Sequence, residues 1–266
     1  MNTIDSGANW TSFCVALALL FVRVSSMIAL APFFTGRSIS IRNKAVFVLA
    51  LSWLLAPVVA GGAIANIKLS FSGLIGEVAV GGIYGLTLSM LSEMLLLAGQ
   101  IVGLQFSFSL VNLLDPASEI QTPLMGDLFQ LMGTLVLISA GLDHVMLASL
   151  VRSLHAVPLG GFPLDSIPST AKTLVPMLSG SFFAALELAA PVLAATVLVE
   201  ISVALMGKLS PQLPVISLTI PLKTLTGFAM LIGSLALWPR FIEARFSSLL
   251  DVAEKLISQG FTGSRG

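Results

Sequence analysis

Ionisable side chains lie inside segments that are otherwise apolar enough to cross a membrane. They are Arg23, Glu77, Glu93, Asp143, Glu187, Glu200 and Lys223. A charge at the centre of a bilayer costs about 2.5 to 3.5 kcal/mol on insertion scales, whereas a leucine returns only about 0.5 kcal/mol. We therefore expect most of these side chains to face protein or water and to hold helices together, by pairing with one another or with a neighbouring subunit. A proton relay or transport site, and a position near the membrane edge, remain alternatives.

The spacing of the carboxylates does not build a catalytic or ion-binding dyad within one helix. At about 100° per residue, Glu77 and Glu93 would lie about 160° apart on a continuous helix, and Glu187 and Glu200 about 140° apart. The chain has no H-E-x-x-H, G-x-S-x-G, P-loop or G-x-G-x-x-G motif, and its two histidines and one cysteine are too dispersed for a dense metal site. We predict no catalytic residues, no cofactor and no metal.

Two glycines follow the first of these carboxylates at helical spacing. Gly81 and Gly85 come four and eight residues after Glu77, so the three residues share one stripe where a second backbone can approach closely. We predict that the stripe is a helix-packing face, with a substrate path as the alternative.

The composition indicates the solvent in which these helices lie. Of the 266 residues, 56% are hydrophobic and only 10% are charged, against about 25% in ordinary soluble domains. The chain therefore reads as an integral membrane protein in contact with lipid. Thirteen basic and thirteen acidic residues cancel, so no basic field is present to attract nucleic acid.

Six hydrophobic segments approach the length of about 20 residues that a bilayer core requires. They are Phe13 to Phe34, Ala45 to Ala65, Leu74 to Gly103, Leu128 to Val151, Leu174 to Gly207 and Leu213 to Trp238. The fold class predicted is all-α, a polytopic membrane protein of about six or more long helices and helical hairpins, several of them kinked or broken. The third and fifth segments are long enough to tilt, break or fold back, and Pro176 and Pro191 supply breaking points in the fifth.

Two further elements are visible in the second half of the chain. The proline- and glycine-rich stretch HAVPLGGFPLDSIPSTAK, which begins at His155, predicts a loop. After Trp238, apolar residues recur at helical spacing among mixed charges, which predicts an amphipathic helix over residues 239–260. We expect this helix to lie at a membrane interface, with a partner-docking helix as the alternative.

An acidic, proline-containing insert interrupts the apolar pattern in the middle of the chain. The stretch FSFSLVNLLDPASEIQTPLMGD spans residues 106–127 and carries three carboxylates but no Lys or Arg. Asp115–Pro116 breaks regular structure, and irregular backbone at membrane depth survives only when it is buried in protein or lines a water-filled cavity. An ordinary acidic loop between two spans is the competing interpretation.

The sequence around this insert resembles a known family. "GQIVGLQFSFSLVNLLDPASEIQTPLMGDLFQLM", with the later "HAVPLGG" and "KLSPQLPVISLTIPLK", is similar to the FliR family of flagellar export proteins, which is related to the SctT proteins of virulence type III secretion. The similarity covers essentially the whole chain, and its most specific parts are Gly103 to Gln105, Asp115–Pro116 and the turn at Pro211 to Leu213. The Asp115–Pro116 block favours the flagellar branch.

The resemblance implies a structure and a set of partners. A FliR-like chain, here residues 1–266 as one membrane domain, would assemble with FliP-like and FliQ-like subunits into a helical export-gate cone in the bacterial inner membrane, at the flagellar basal body. FlhB-like and FlhA-like export components and unfolded export substrates would be further partners. The loop region 103–127 would plug the pore. An apolar constriction would comprise Phe106, Phe108, Leu110, Val111, Leu113 and Leu114, with Asn112, Asp115, Pro116 and Glu119 at its wetter rim.

Another class of function remains open on the residues alone. A secondary transporter of a small solute would place its site near the bilayer midplane, among the same buried charges, and would show paired inverted halves with broken helices in matching positions. No such internal repeat is visible in the sequence. The equivalent subunit of a virulence secretion system is the closer alternative.

Overall fold

The computed structural model describes residues 6–31, 40–60, 69–106, 124–210, 212 and 215–262. Within these ranges the secondary structure is helical and contains no strand. The α-helices are α1 (Ser6–Leu30), α2 (Ile41–Ala60), α3 (Phe71–Gln105), α4 (Leu124–Ser139), α5 (Leu142–Ala156), α6 (Ile167–Leu209), α7 (Val215–Ser234) and α8 (Trp238–Thr262). Short 3-10 turns, Leu164–Ser166 and Leu235–Leu237, precede α6 and α8. The predicted all-α fold class is confirmed.

The two longest hydrophobic segments are unbroken helices. α3 has 35 residues and α6 has 43, and α6 continues through both Pro176 and Pro191. The sequence suggested breaking points at these prolines, and the helix does not break there. Helices at membrane depth tolerate proline when neighbouring groups and small local adjustments satisfy the freed backbone carbonyl. Length in these segments is therefore accommodated by long continuous helices.

The fourth hydrophobic segment, by contrast, is not one span. It is divided into α4 and α5, because Gly141 adopts a left-handed backbone with φ of 69°. A side chain would disfavour that conformation, and glycine adopts it without penalty. With 16 and 15 residues, each helix is shorter than a bilayer core requires. In the described part of the chain, four helical stretches are long and apolar enough to cross a membrane, or five if this broken pair forms one span.

The loop predicted after the fourth segment is shorter than its composition suggested. His155 lies in the last turn of α5, and α6 already begins at Ile167. Only residues 157–163 are non-helical before the 3-10 turn. Pro168 sits in the first turn of α6, where its missing N–H removes no hydrogen bond.

The C-terminal amphipathic helix is present as α8, and its apolar face is buried within the protein. Phe246, Ala253 and Ile257 are fully buried, while charged residues such as Asp251 lie on the exposed face. The hydroxyl of Ser166 donates a 2.6 Å hydrogen bond to the carbonyl oxygen of Gly260 near the end of the helix. Protein therefore covers the apolar face of α8, and the position of the helix at a membrane interface stays a prediction.

The described helices divide into two compact units. Unit 1 comprises residues 1–90, 141–177 and 246–266, and unit 2 comprises residues 91–140 and 178–245. In unit 1, α1 packs against α2, with an edge-to-face contact between Phe13 and Trp53 at 5.6 Å. In unit 2, the ring of Phe129 on α4 contacts that of Trp238 at 4.7 Å. Each unit has its own buried apolar core, and each contains ion pairs.

Candidate functional sites: buried charges and the base of the insert

The most deeply buried charges of unit 1 form one ion pair. Arg23 on α1 and Glu77 on α3 both have fully buried side chains. The Nε of Arg23 donates to Oε2 of Glu77, and its Nη2 donates to Oε1 at 3.1 Å, so the contact is bidentate. A planar guanidinium matches a carboxylate in this way and satisfies both oxygens. The pairing removes two charges that lipid would not accept.

The same pair also holds the segment that follows α5. Arg23 donates from Nη1 to the carbonyl oxygen of Ser153 at 3.3 Å and from Nη2 to that of Val157 at 3.2 Å. Glu77 accepts a 2.7 Å hydrogen bond from the backbone N–H of Gly160, whose φ is 70°. The guanidinium thus caps the C-terminus of α5, where the helix dipole favours a cation. We call Arg23, Glu77, Ser153, Val157 and Gly160 the buried charge cluster.

The glycine stripe after Glu77 lies directly against α1. A Cβ at Gly81 would lie 1.9 Å from the Oγ of Ser26 and 2.2 Å from the carbonyl oxygen of Arg23. A Cβ at Gly85 would lie 2.8 Å from the Cβ of Leu30. No side chain fits at these distances, so α1 and α3 approach each other closely only because both positions are glycine. This approach brings Arg23 within reach of Glu77.

Two more ion pairs occur in unit 2, and both involve α6. Lys223 on α7 pairs with Glu200; the lysine side chain is 11% exposed and the glutamate 48%. Arg245 on α8 pairs with Glu187 at 2.6 Å, and its guanidinium also lies 5.4 Å from the ring centre of Phe241. These pairs tie α7 and α8 to α6. Because they are more exposed than Arg23 and Glu77, each contributes less to stability.

The remaining two charges are not paired in this way. Among the described residues, the ion-pair partner of Asp143 is its neighbour His144, at 3.9 Å, and that histidine side chain is 83% exposed. Glu93 is exposed on α3 and has no ion-pair partner among the residues that the structure describes. Its neighbour Ser92 faces another way and accepts a hydrogen bond from Gln130 of α4. The Glu93 side chain thus lies on an apolar helix, and no described part of the chain covers its carboxylate.

The predicted pore plug, residues 103–127, falls largely outside the described residues. Its two ends are not loop, because 103–105 belong to α3 and 124–127 to α4. Phe108, Leu110, Val111, Asn112, Leu113, Leu114, Asp115, Pro116 and Glu119 all lie in the range 107–123, which the structure does not describe. Phe106 is described, and it is buried against Phe228 of α7, with ring centres 4.5 Å apart and planes at 21°. The structure therefore places the first residue of the predicted constriction inside the protein.

Sequence reasoning did not predict several of the residues that complete these sites. Arg152 and Glu254 form an ion pair between α5 and α8, with Nε and Oε1 2.9 Å apart but not aligned as a hydrogen bond. Ser153 and Gly160, which join the buried charge cluster, were likewise not singled out. The Gly-Gly pair at 160–161 signalled a turn, but nothing in the sequence says that a carboxylate 83 residues earlier accepts its N–H.

The helices and their internal ion pairs define a class of protein, an all-α integral membrane protein with several helices able to span a bilayer. Comparison with known proteins identifies the family. The chain belongs to the bacterial export proteins, family 1, which it matches over residues 14–249. The resemblance to the FliR family is thereby confirmed.

Three relatives match this chain over nearly its whole length. The chain is similar to the flagellar biosynthetic protein FliR of Escherichia coli, with 25% identity over 94% of this chain and 95% of the relative. It is similar to the protein of the same name in Caulobacter vibrioides, with 26% identity over 91% and 97%. The FliR of Bacillus subtilis is 25% identical over 91% and 95%.

Proposed function

We propose that this chain is a subunit of the flagellar type III export gate in the bacterial inner membrane, assembled with FliP-like and FliQ-like chains. Residues 107–123 would line and plug the channel through which unfolded flagellar proteins pass. FlhB-like and FlhA-like export components would be further partners. The observation that carries the proposal is the family match over residues 14–249, to relatives named for flagellar biosynthesis.

The distribution of charges supports assembly with other chains. Glu93 lies on α3, one of the helices apolar enough to span a membrane, and its carboxylate is exposed in the isolated chain. A lipid-facing carboxylate would be unfavourable by about 2.5 to 3.5 kcal/mol. A cation on a partner helix, or a water-filled channel, would remove that cost. The Glu200 side chain pairs with Lys223 but is still 48% exposed, so contact with lipid would be unfavourable for it too, by a smaller amount.

The chemistry of the insert supports a plug. Its apolar residues can form a constriction that blocks ions by dewetting and yet yields to a threading polypeptide. Asp115, Pro116 and Glu119 would interrupt regular structure at the wetter rim. The intramembrane charges Arg23, Glu77, Glu187, Glu200 and Lys223 would serve packing within this subunit, since each pairs with a residue of the same chain.

A deletion within the insert tests the proposal. Removal of Leu110 to Leu114 should leave the complex assembled, because these residues lie outside the helices that carry the ion pairs. The membrane should then leak small ions, measured as uptake or as loss of membrane potential in cells that contain the complex. A deletion strain that assembles the complex and keeps its membrane as tight as the parent would contradict the plug assignment.

A further inference from the structure

Phe106, the first residue of the apolar run by sequence, is buried in the structure. It is the last described residue before residues 107–123, and only 3% of its surface is exposed. Its ring stacks on Phe228 of α7, with centres 4.5 Å apart. A ring held in this way is not available to line a passage for polypeptide.

The Phe106 ring packs on Gly227 and Phe228, which we call its seat, and this packing requires a residue without a side chain at position 227. A Cβ at Gly227, the residue before Phe228, would lie 2.1 Å from Cε1 of Phe106 and 3.0 Å from its Cδ1. The ring therefore lies on the bare backbone of α7. Lys223 lies one turn earlier on the same face of α7 and pairs with Glu200 of α6. This ion pair fixes α7, which carries Gly227, against α6.

Met125, which follows residues 107–123, packs against α3, the helix that ends just before Phe106. A Cβ at Gly99 on α3 would lie 2.3 Å from the carbonyl oxygen of Met125, and one at Gly103 would lie 3.2 Å from the Cβ of Met125. Gly99, Gly103 and Phe106 are spaced by four and three residues and so share one face of α3 and of the turn that ends it. Both boundaries of residues 107–123 thus rest on this face or on α7 beside it.

We propose that Phe106 is a positioning residue. Its ring packs on Gly227 and Phe228. Together with Met125, it fixes the two positions between which residues 107–123 run. This inference rests on the proposed function of the insert. It assigns to Phe106 a role outside the constriction, and it assigns to Gly227 the role of leaving room for the Phe106 ring. Displacing the ring from Gly227 should make the plug less tight without changing any of residues 107–123.

Gly227→Leu is the most direct perturbation, because it displaces the ring from a different helix. Gly233→Leu is its matched control, since a Cβ at Gly233 on the same helix meets nothing within 4 Å. We expect the Gly227→Leu complex to assemble and to leak ions about tenfold faster than the parent, the change that about 1.4 kcal/mol of lost seating would give. The Gly233→Leu complex should stay tight.

Variants at Phe106 keep the test decisive if Gly227→Leu fails to assemble. Phe106→Ala empties the seat and should leak, whereas Phe106→Leu keeps an apolar group over Gly227 and should leak less. The double variant Phe106→Ala with Gly227→Leu refills the space, so it should leak less than either single change. A residue that merely contributed to stability would alter the yield of complex and not the leak of the complex that forms.

The outcomes separate this inference from the proposed function. If the deletion of Leu110 to Leu114 leaks while Phe106→Ala and Gly227→Leu complexes stay tight, the positioning role is wrong and the plug stands. If the deletion itself stays tight, the plug assignment fails first. A leak in Gly233→Leu equal to that in Gly227→Leu would also overturn the inference, because the effect would then not depend on the seat.

Discussion

Breaking the buried ion pair between Arg23 and Glu77 should destabilise the protein more than any other single change of charge in unit 1. Arg23→Leu leaves the Glu77 carboxylate buried without a cation, and Glu77→Leu leaves the guanidinium buried without an anion. Both side chains are fully buried in the structure. Loss of one partner of a buried pair costs about 3 to 5 kcal/mol.

The backbone groups in the cluster add to this cost. Arg23→Leu also removes the donor to the carbonyl oxygen of Val157, and Glu77→Leu removes the acceptor for the N–H of Gly160. An orphaned buried polar group costs about 1 to 3 kcal/mol, so each single change should cost about 4 to 8 kcal/mol. Ser153 adds nothing, because its carbonyl oxygen still accepts from the N–H of Val157 at 2.9 Å.

The double variant separates charge from packing. Arg23→Leu with Glu77→Leu leaves no buried charge and orphans only the groups of Val157 and Gly160, which predicts a cost of about 2 to 6 kcal/mol. It should therefore be milder than either single change. Exchange of the two charges should not rescue, because a glutamate at position 23 would face two carbonyl oxygens at the C-terminus of α5.

Unfolding of the purified protein in mixed micelles, titrated with sodium dodecyl sulfate and followed by circular dichroism, would give these free energies. Arg152→Leu is the control, because its ion pair with Glu254 is partly exposed, at 58% and 32%, and should contribute at most about 1 kcal/mol. The reasoning is refuted if the double variant loses as much as the sum of the two single variants, or if the exchanged pair restores stability.

Further changes test other contacts. Gly81→Ala should cost about 1 to 3 kcal/mol, because a Cβ there would lie 1.9 Å from a serine oxygen of α1. In the same unfolding assay Gly82→Ala, whose Cβ meets nothing within 4 Å, should cost nothing and stabilise by up to about 1 kcal/mol. Gly141→Ala should lower the unfolding free energy by about 1 to 2 kcal/mol, since its φ is 69°, and a rise would show that the left-handed turn is not needed. Glu93→Leu should cut the yield of co-purified complex about tenfold or more if a partner cation faces it. A raised yield would place Glu93 in lipid, and Glu243→Leu, at an exposed position of α8, serves as the control.

Much of the fold follows from local pattern. The apolar segments predicted helices because only internally hydrogen-bonded backbone is stable at membrane depth. The spacing of Gly81 and Gly85 after Glu77 predicted a packing face, and the structure places α1 there. The apolar period after Trp238 predicted α8. Each of these features depends on residues within a few turns of one another.

What the sequence could not show depends on distant residues or on single dihedral angles. Hydropathy does not register the left-handed Gly141, so α4 and α5 were predicted as one span. Proline signals a break only when the freed carbonyl has no other partner, and α6 runs through Pro191. An amphipathic pattern cannot say whether lipid or protein covers its apolar face. The partner of Arg23 lies 54 residues away, and no local rule selects it.

The central claim is that this chain is one subunit of a larger membrane assembly around a channel. Native mass spectrometry of the tagged chain, extracted gently from the membrane of its own bacterium, tests that claim most directly. The account predicts a species well above the 27.8 kDa of this chain that contains FliP-like and FliQ-like chains. A stable species of this chain alone, folded and able to move a small solute into liposomes, would contradict it.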